Sequence, residues 1–322
     1  MNMAQALLNK ALLNKALLNK ALTQFAASTA ETDVDLFTPS FVKVGKYNIR
    51  YVTHQKPNAP TLLLLNGLPQ SIRMWENAWP ALSQNFNLLA FDIPGFGLSK
   101  ATEADMSPRN LSHVVIEVMD HFGIHKAHLV GPDVGTPIAL ATVIEYPHRF
   151  ESLNIFDGPG TYPPKLSPIL NAVIKSKFVR WLAKGINKNA VMKTNFLTAV
   201  KDGYHQYRPT KRAIKEYYDI AFDLQAHKCA VSFFGSYSTD LPWIESRLNN
   251  LEIPTLITWG KLDPFVLASN ADQMAERIPN TKVVKFENAS HFSSEDAGEE
   301  YWNTITQWCL TEYNQFGESV AS

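Results

Sequence analysis

The chain has 322 residues, of which 45% are apolar, and thirty basic and thirty acidic side chains give a formal net charge of zero. This balance, without a long run of one sign, argues against nucleic acid as a partner. Two cysteines are too few for a disulfide framework or a cysteine metal site, and we expect no metal and no other cofactor. No apolar run approaches the roughly 20 residues that a membrane span needs.

Residues 1–30 form an N-terminal extension that carries an internal repeat, Ala-Leu-Leu-Asn-Lys, at 6–10, 11–15 and 16–20. Lysines at every fifth position interrupt the apolar stretch that a secretory signal requires, which favours a cytoplasmic protein. A five-residue period steps about 140° around a helix, so the leucines spread over its whole circumference. We interpret the repeat as a low-complexity extension without a catalytic part, with a docking segment as the alternative.

Residues 31–157 and 253–322 alternate short apolar strands with helical segments, and polar residues follow several of the strands. The apolar run at 61–65 ends in Asn66-Gly67-Leu68-Pro69, where the Asn66 amide can hydrogen-bond locally. A later run ends in Asp92, which we interpret as a structural residue. The alternation predicts an α/β fold with a mostly parallel sheet and helices on both faces.

The next strand end is the most informative part of the sequence. Gly131-Pro132-Asp133-Val134-Gly135 follows an apolar run and precedes an apolar helix, as in a nucleophile elbow whose central residue is an aspartate instead of a serine. Glycines suit so sharp a turn, and a helix N-terminus favours an anion. Because a carboxylate is ionised at neutral pH, Asp133 needs no base to act as a nucleophile. The simpler interpretation is that Asp133 only caps the helix.

Two later strand ends supply the partners that such a nucleophile requires. A predicted strand at 253–260 leads to Asp263, and another at 282–286 leads to His291. Nucleophile, acid and histidine follow one another in the order of an α/β-hydrolase triad. Asp157, after a predicted strand at 153–156, is the alternative acid. We favour Asp263 because a Gly-x-x-Asp-Pro loop after a strand is the commoner arrangement.

From about Phe41 to about Trp308 the chain resembles an α/β-hydrolase of the branch that holds epoxide hydrolases, haloalkane dehalogenases and haloacetate dehalogenases. The elbow carries this resemblance together with the segment 66–75 and the loop 92–99, although the family usually has histidine where this chain has Asn66. The resemblance implies an inserted helical cap, here the aromatic-rich stretch 158–252. It also implies that the backbone N–H groups of Leu68 and Val134 form an oxyanion hole.

The resemblance further implies a reaction in two steps. Asp133 attacks an sp3 carbon to form an alkyl ester, and His291 then activates the water that hydrolyses the ester. Epoxide hydrolases of this branch protonate the epoxide oxygen with cap tyrosines, and Phe234 stands where one such tyrosine would be expected. We predict an epoxide hydrolase acting on a small, largely apolar substrate. The candidate contacts to substrate or leaving group are Trp181, Tyr204, Tyr207, Tyr237 and Phe234.

Three other functions stay open at this point. A haloalkane dehalogenase would use the Trp181 indole for halide, but Val134 and Leu68 replace the halide-binding side chains that are typical at their positions. An ester or lactone hydrolase is disfavoured because Asp133 is not a hydroxyl nucleophile. A non-catalytic homologue would keep the pocket and bind a small molecule without turning it over.

Overall fold

The computed structural model describes residues 37–185, 189–311, 313 and 316. The N-terminal repeat lies outside the described residues, so its interpretation stays a prediction. Eight strands of the described chain form one sheet in the order β1-β2-β4-β3-β5-β6-β7-β8. They are β1 (Ser40–Val44), β2 (Tyr47–His54), β3 (Thr61–Leu64), β4 (Asn87–Phe91), β5 (Ala127–Pro132), β6 (Phe150–Phe156), β7 (Thr255–Gly260) and β8 (Thr281–Phe286).

Strand β2 pairs antiparallel with both β1 and β4, and every other neighbouring pair in the sheet is parallel. The predicted mostly parallel sheet is therefore confirmed. The helices are α1 (Trp79–Leu82), α2 (Pro108–His121), α3 (Gly135–Glu145), α4 (Pro168–Lys175), α5 (Lys177–Gly185), α6 (Asn189–Gly203), α7 (Lys211–Ala221), α8 (Leu224–Glu245), α9 (Ser269–Ala275), α10 (Ser293–Ala297) and α11 (Glu299–Leu310).

The central strands are buried on both faces because helices cover the sheet on both sides. Successive side chains of a strand point to opposite faces, so Leu63 joins one apolar cluster while Leu62 and Leu64 join the other. The first cluster includes residues of α2 and α3, and the second includes residues of α1 and α11. This arrangement explains why the strands read as continuous apolar runs instead of alternating ones.

Helices α4 to α8 lie between β6 and β7, in the stretch that the sequence suggested as a cap, whose boundaries stay a prediction. Glu216 of α7 joins this insertion to the sheet domain. Its carboxylate accepts hydrogen bonds from Arg50 at 2.6 and 3.0 Å and from Arg73 at 2.6 Å. Both arginines are buried, and their positive charges lower the pKa of Glu216 although burial opposes this shift. A buried pair of this kind fixes the helix strongly, because losing one partner leaves an uncompensated charge.

Candidate active site

The Asp133 elbow is a strained turn between β5 and α3. Asp133 has a φ of 45°, a conformation that non-glycine residues rarely adopt, and its N–H donates to the Phe156 carbonyl of β6 at 2.8 Å. A Cβ on Gly131 would lie 2.6 Å from the Cβ of Ala139, and one on Gly158 would lie 2.0 Å from the Asp133 carbonyl oxygen. Glycine is thus required at both positions to let the chain pass this closely.

Two backbone N–H groups hold the Asp133 carboxylate. The Leu68 amide donates to Oδ2 at 2.7 Å, and the Val134 amide donates to the same carboxylate. Burial raises the pKa of Asp133, while the positive charge of His291 and these two amides oppose the rise. Both predicted oxyanion-hole amides therefore contact the carboxylate that would become the carbonyl of an Asp133 ester.

The Asn66 side chain positions the loop that carries Leu68. Its Nδ2 donates to the carbonyls of Gly67 at 3.0 Å and Gln70 at 3.2 Å, and its Oδ1 accepts the Ile93 N–H at 2.8 Å. The local hydrogen bonding expected of Asn66 is therefore present. Its long-range partner Ile93 was not predicted.

His291 lies between two carboxylates at the carboxyl edge of the sheet. Its Nδ1 is 2.7 Å from Asp263 Oδ2, and its Nε2 is 3.8 Å from Asp133 Oδ1. The other oxygen of Asp263 accepts the N–H groups of Phe265 and Val266 at 2.8 and 3.0 Å. Burial opposes a charged imidazole, but the Asp263 carboxylate outweighs it and the pKa of His291 rises to about 9. The three residues predicted as the triad are thus brought together.

Asp157 occupies a different place beside this group. It also has a positive φ, of 53°, and its two oxygens accept the N–H groups of Gly260 at 3.2 Å and Ser293 at 3.0 Å. Burial, followed by the negative charge of Asp263, raises the pKa of Asp157 well above its ordinary value. The hydrogen bond to His291 comes from Asp263, so this geometry favours Asp263 as the acid and gives Asp157 a role in holding two backbone segments.

Two of the candidate cap tyrosines have polar partners of their own. The Tyr204 hydroxyl donates to Glu295 at 2.6 Å and accepts from Gln70 at 3.2 Å. Tyr207 accepts a hydrogen bond from the Asn77 side chain. Burial, opposed by the Tyr204 hydroxyl, raises the pKa of Glu295 to about 8. No pattern in the sequence points to Gln70 or Glu295, because their contact with Tyr204 depends on how the insertion folds over the sheet.

Tyr237 of α8 differs from the other two tyrosines. It is 2% exposed and its ring contacts Phe233 and the half-buried Phe234, yet its hydroxyl makes no hydrogen bond within the described residues. Burial, and then the negative charge of Asp133, raise the pKa of this phenol well above its ordinary value. The phenol is therefore protonated at neutral pH, and it is close enough to Asp133 to be influenced by its charge.

Trp181, the other candidate contact to the leaving group, is an exposed residue. Its side chain is 68% exposed on α5, and its ring stacks on Phe178, which is itself 65% exposed, at a centroid distance of 6.0 Å. This exposure gives its role at the leaving group no support, and that role stays a prediction.

The described residues also bear on metal and membrane binding. Within them, no group of three or more His, Cys, Asp or Glu side chains is arranged to hold a metal ion. None of the helices in the same residues is long and apolar enough to cross a bilayer.

Comparisons with known proteins agree with this architecture. A family model described as alpha/beta hydrolase fold matches residues 60–297. A 2-hydroxy-6-oxo-6-phenylhexa-2,4-dienoate hydrolase of Burkholderia cepacia is 26% identical, and the alignment covers 80% of this chain and 91% of that protein. A putative lipase of Acinetobacter baumannii superposes with a TM-score of 0.73 at 20% identity, covering 92% of this chain and 95% of the lipase chain. The structure titled epoxide hydrolase CorEH superposes with a TM-score of 0.69 at 21% identity, covering 84% and 97% of the two chains.

Proposed function

The chain belongs to the α/β-hydrolase family, and we propose that it is an epoxide hydrolase that opens small, largely apolar epoxides through an alkyl ester on Asp133. The observation that carries this proposal is the phenol of the buried Tyr237 side chain, which is protonated and is influenced by the Asp133 charge. Phe265 and Phe292 lie against the His291 ring at centroid distances of 5.4 and 5.2 Å, which suits an apolar substrate.

The first step is attack of Asp133 on an epoxide carbon. The Leu68 amide donates to Oδ2, and Oδ1, which lies 3.8 Å from His291 Nε2, forms the new C–O bond. The carbon–oxygen bond of the epoxide breaks, and the alkoxide takes a proton from Tyr237. The product is an ester between Asp133 and the β-hydroxyalkyl group.

The second step depends on a change in the basicity of His291. In the free enzyme the carboxylates of Asp263 and Asp133 both raise the pKa of His291, which stands at about 9. Forming the ester removes the negative charge of Asp133 and therefore lowers this pKa. His291 then releases its proton to solvent, from which the Tyr237 phenolate is reprotonated, and accepts another proton from water, and the hydroxide attacks the Asp133 ester carbonyl, whose oxyanion the two amides stabilise. The ester bond breaks, the leaving alkoxide takes the proton from His291 and departs as the diol, and the Asp133 acid returns a proton to His291 as it regains its carboxylate.

The other candidate functions have less support. Halide release has less support because Trp181, the candidate indole donor, is 68% exposed. The names of the relatives cover cleavage of carbon–carbon bonds and of lipids as well as of epoxides, so they do not choose the substrate. The aspartate at the elbow is what favours attack on an sp3 carbon over acyl transfer.

The proposal is tested with three substrates offered to the purified full chain: styrene oxide, 1-bromobutane and 4-nitrophenyl acetate. We expect diol from the epoxide, no bromide and no nitrophenol above the level of an Asp133→Ala variant. Bromide without diol would replace the proposal with dehalogenation. Saturable binding of styrene oxide without turnover would favour the non-catalytic homologue.

Isotope labelling separates the ester route from direct attack of water on the epoxide. In a single turnover in H₂¹⁸O with enzyme in excess, the water oxygen should enter the Asp133 carboxylate, and the first diol released should contain only ¹⁶O. Mass spectrometry of the peptide that contains Asp133 and of the diol measures the ¹⁸O content of each. Label in the first diol would mean that Asp133 acts as a base and not as a nucleophile.

A further inference from the structure

The outer side of helix α5 exposes large apolar side chains that a soluble surface normally keeps covered. Phe178, Trp181 and Leu182 are 65%, 68% and 44% exposed, and their spacing of three and four residues puts them on one face of the helix. Ile169 of the preceding helix α4 is 77% exposed. We call these four residues the cap face. Contiguous apolar surface of this kind marks an interaction site more often than chance.

The opposite side of α5 is already occupied. The Arg180 guanidinium donates to the carbonyls of Val173 and Ile174 at 2.9 and 2.6 Å and so joins α5 to the end of α4. His227 of α8 lies 2.8 Å from the Ala183 carbonyl. The helix is therefore packed on its inner side, and the cap face turns away from the protein.

The segment that carries the cap face is one-sided in charge, although the whole chain is neutral. Between Asp157 and Asp202 the sequence contains eight basic residues and no acidic one. Three of the lysines, Lys165, Lys175 and Lys177, are exposed on or beside α4 and α5. A helix with aromatic and leucine side chains on one face and lysines beside it is the pattern of segments that lie in a membrane interface.

We propose that the cap face binds the surface of an anionic phospholipid membrane, with the aromatic rings and Leu182 entering the interface and the lysines contacting the headgroups. Anionic lipids attract basic residues near the surface, so the charge and the apolar side chains act together. A second copy of the chain is a poor complement, because two cap faces would bring like charges together. The N-terminal repeat is also a poor complement, since the charged residues of 1–30 are all lysines.

Sedimentation with sucrose-loaded vesicles tests the proposal on the full chain. We expect binding to vesicles of phosphatidylcholine with about one third phosphatidylglycerol, and little binding to phosphatidylcholine alone. Raising the salt from roughly 0.05 to 0.5 M should weaken the binding, because it screens the lysines. Absence of binding to the anionic vesicles at low salt would overturn the proposal.

Matched variants show whether the cap face is responsible. The double change Phe178→Ser with Leu182→Ser should lower the partition coefficient at least about tenfold, because it removes apolar area that enters the interface. Lys175→Glu with Lys177→Glu should lower it by a similar factor. As controls, Phe41→Ser changes a phenylalanine that is 52% exposed on β1, and Lys43→Glu with Lys56→Glu reverses two other exposed lysines. Circular dichroism checks that each variant is folded.

Two outcomes would assign the surface differently. Vesicle binding that survives both cap-face variants would place the lipid contact elsewhere and overturn the proposal. A concentration-dependent dimer in analytical ultracentrifugation that the Phe178→Ser, Leu182→Ser variant abolishes would make a second copy of the chain the occupant and would also overturn it. Neither outcome bears on the epoxide chemistry, so the two proposals fail independently.

Discussion

At the edge of the sheet, the carboxylates of Asp133 and Asp263 each accept two backbone N–H groups, whereas in the inserted helices the hydroxyl of Tyr237 has no hydrogen bond within the described residues. The two carboxylates at the edge of the sheet, which we call the sheet side, are held by backbone N–H groups that are in place before a substrate binds. The inserted helices offer a proton donor, Tyr237, whose hydrogen-bond partner would be the substrate. The difference suggests that the two halves of the reaction depend on different parts of the molecule.

Hydrolysis of the ester needs the water, the imidazole and the oxyanion hole in fixed positions, and the sheet edge provides these. Opening of the epoxide needs a proton for the leaving oxygen, and the inserted helices provide it. Variants of His291 or Asp263 should therefore block ester hydrolysis and leave alkylation possible. Variants at Tyr237 should slow alkylation and leave ester hydrolysis unchanged.

The largest effect should come from His291→Gln. Turnover should fall by at least about ten-thousandfold, because no base remains to activate water, while Asp133 still reacts with the epoxide. Incubation with styrene oxide should add the mass of the epoxide to the peptide that contains Asp133. Asp133→Ala is the control and should gain no mass. Unmodified His291→Gln protein, under conditions in which the wild type makes diol, would contradict the division between the two steps.

The second largest effect should distinguish the two buried acids, Asp263 and Asp157. Asp263→Asn should slow hydrolysis of the alkyl-enzyme about a thousandfold or more, because the imidazolium that forms loses its charged partner. Asp157→Asn should slow it no more than about tenfold, since an amide oxygen can still accept one of the two N–H groups that Asp157 holds. Rapid-quench measurement of ester decay compares the variants. The reverse ranking would make Asp157 the partner of His291.

The sheet side could be predicted from the sequence because each of its groups follows a short apolar strand. Parallel strands end at one edge, so Asp133, Asp263 and His291 were expected to lie together once the strands were identified. The sharp turn at Asp133 was also indicated by its flanking glycines. The hydrogen bond that the Ile93 N–H donates to Asn66 was not, because it joins two strand ends whose spacing in the folded sheet has no sequence signature.

The inserted helices were predicted less well, for a physical reason. Aromatic residues at helical spacing indicate a face that is apolar but not whether it turns inward or outward. Trp181 was expected at the leaving group and lies on the outside, while Tyr237 was one of several candidate tyrosines and lies by Asp133. The partners of Tyr204 and Tyr207 come from segments distant in sequence, so hydrogen bonding could not separate these phenols from Tyr237 in advance.

A smaller effect should follow from Tyr237→Phe. Without the phenol the epoxide oxygen would leave as an unprotonated alkoxide, so alkylation should slow at least about tenfold. Single-turnover formation of the ester is measured in the His291→Gln background, where the ester accumulates. Tyr204→Phe and Tyr207→Phe are the matched controls and should alkylate within about threefold of the parent, because those hydroxyls already have protein partners. Equal rates for all three variants would remove Tyr237 as the acid.

The smallest effect concerns stability and pH. The pKa of His291 is about 9 in the folded protein against an ordinary value of 6.5, so the folded state holds a proton that the unfolded chain releases between these values. The contribution of His291 is therefore fully present below about pH 6.5 and is lost as the pH rises through about 9, a change on the order of 3 kcal/mol. Urea unfolding of the wild type and of His291→Gln at intervals across this range gives the difference in unfolding free energy. We expect that difference to shrink as the pH rises, because only the wild type has this group to titrate. A constant difference across the range would mean that Asp263 and Asp133 do not hold His291 in its charged form, and the proposed drop in its pKa on ester formation would lose its basis.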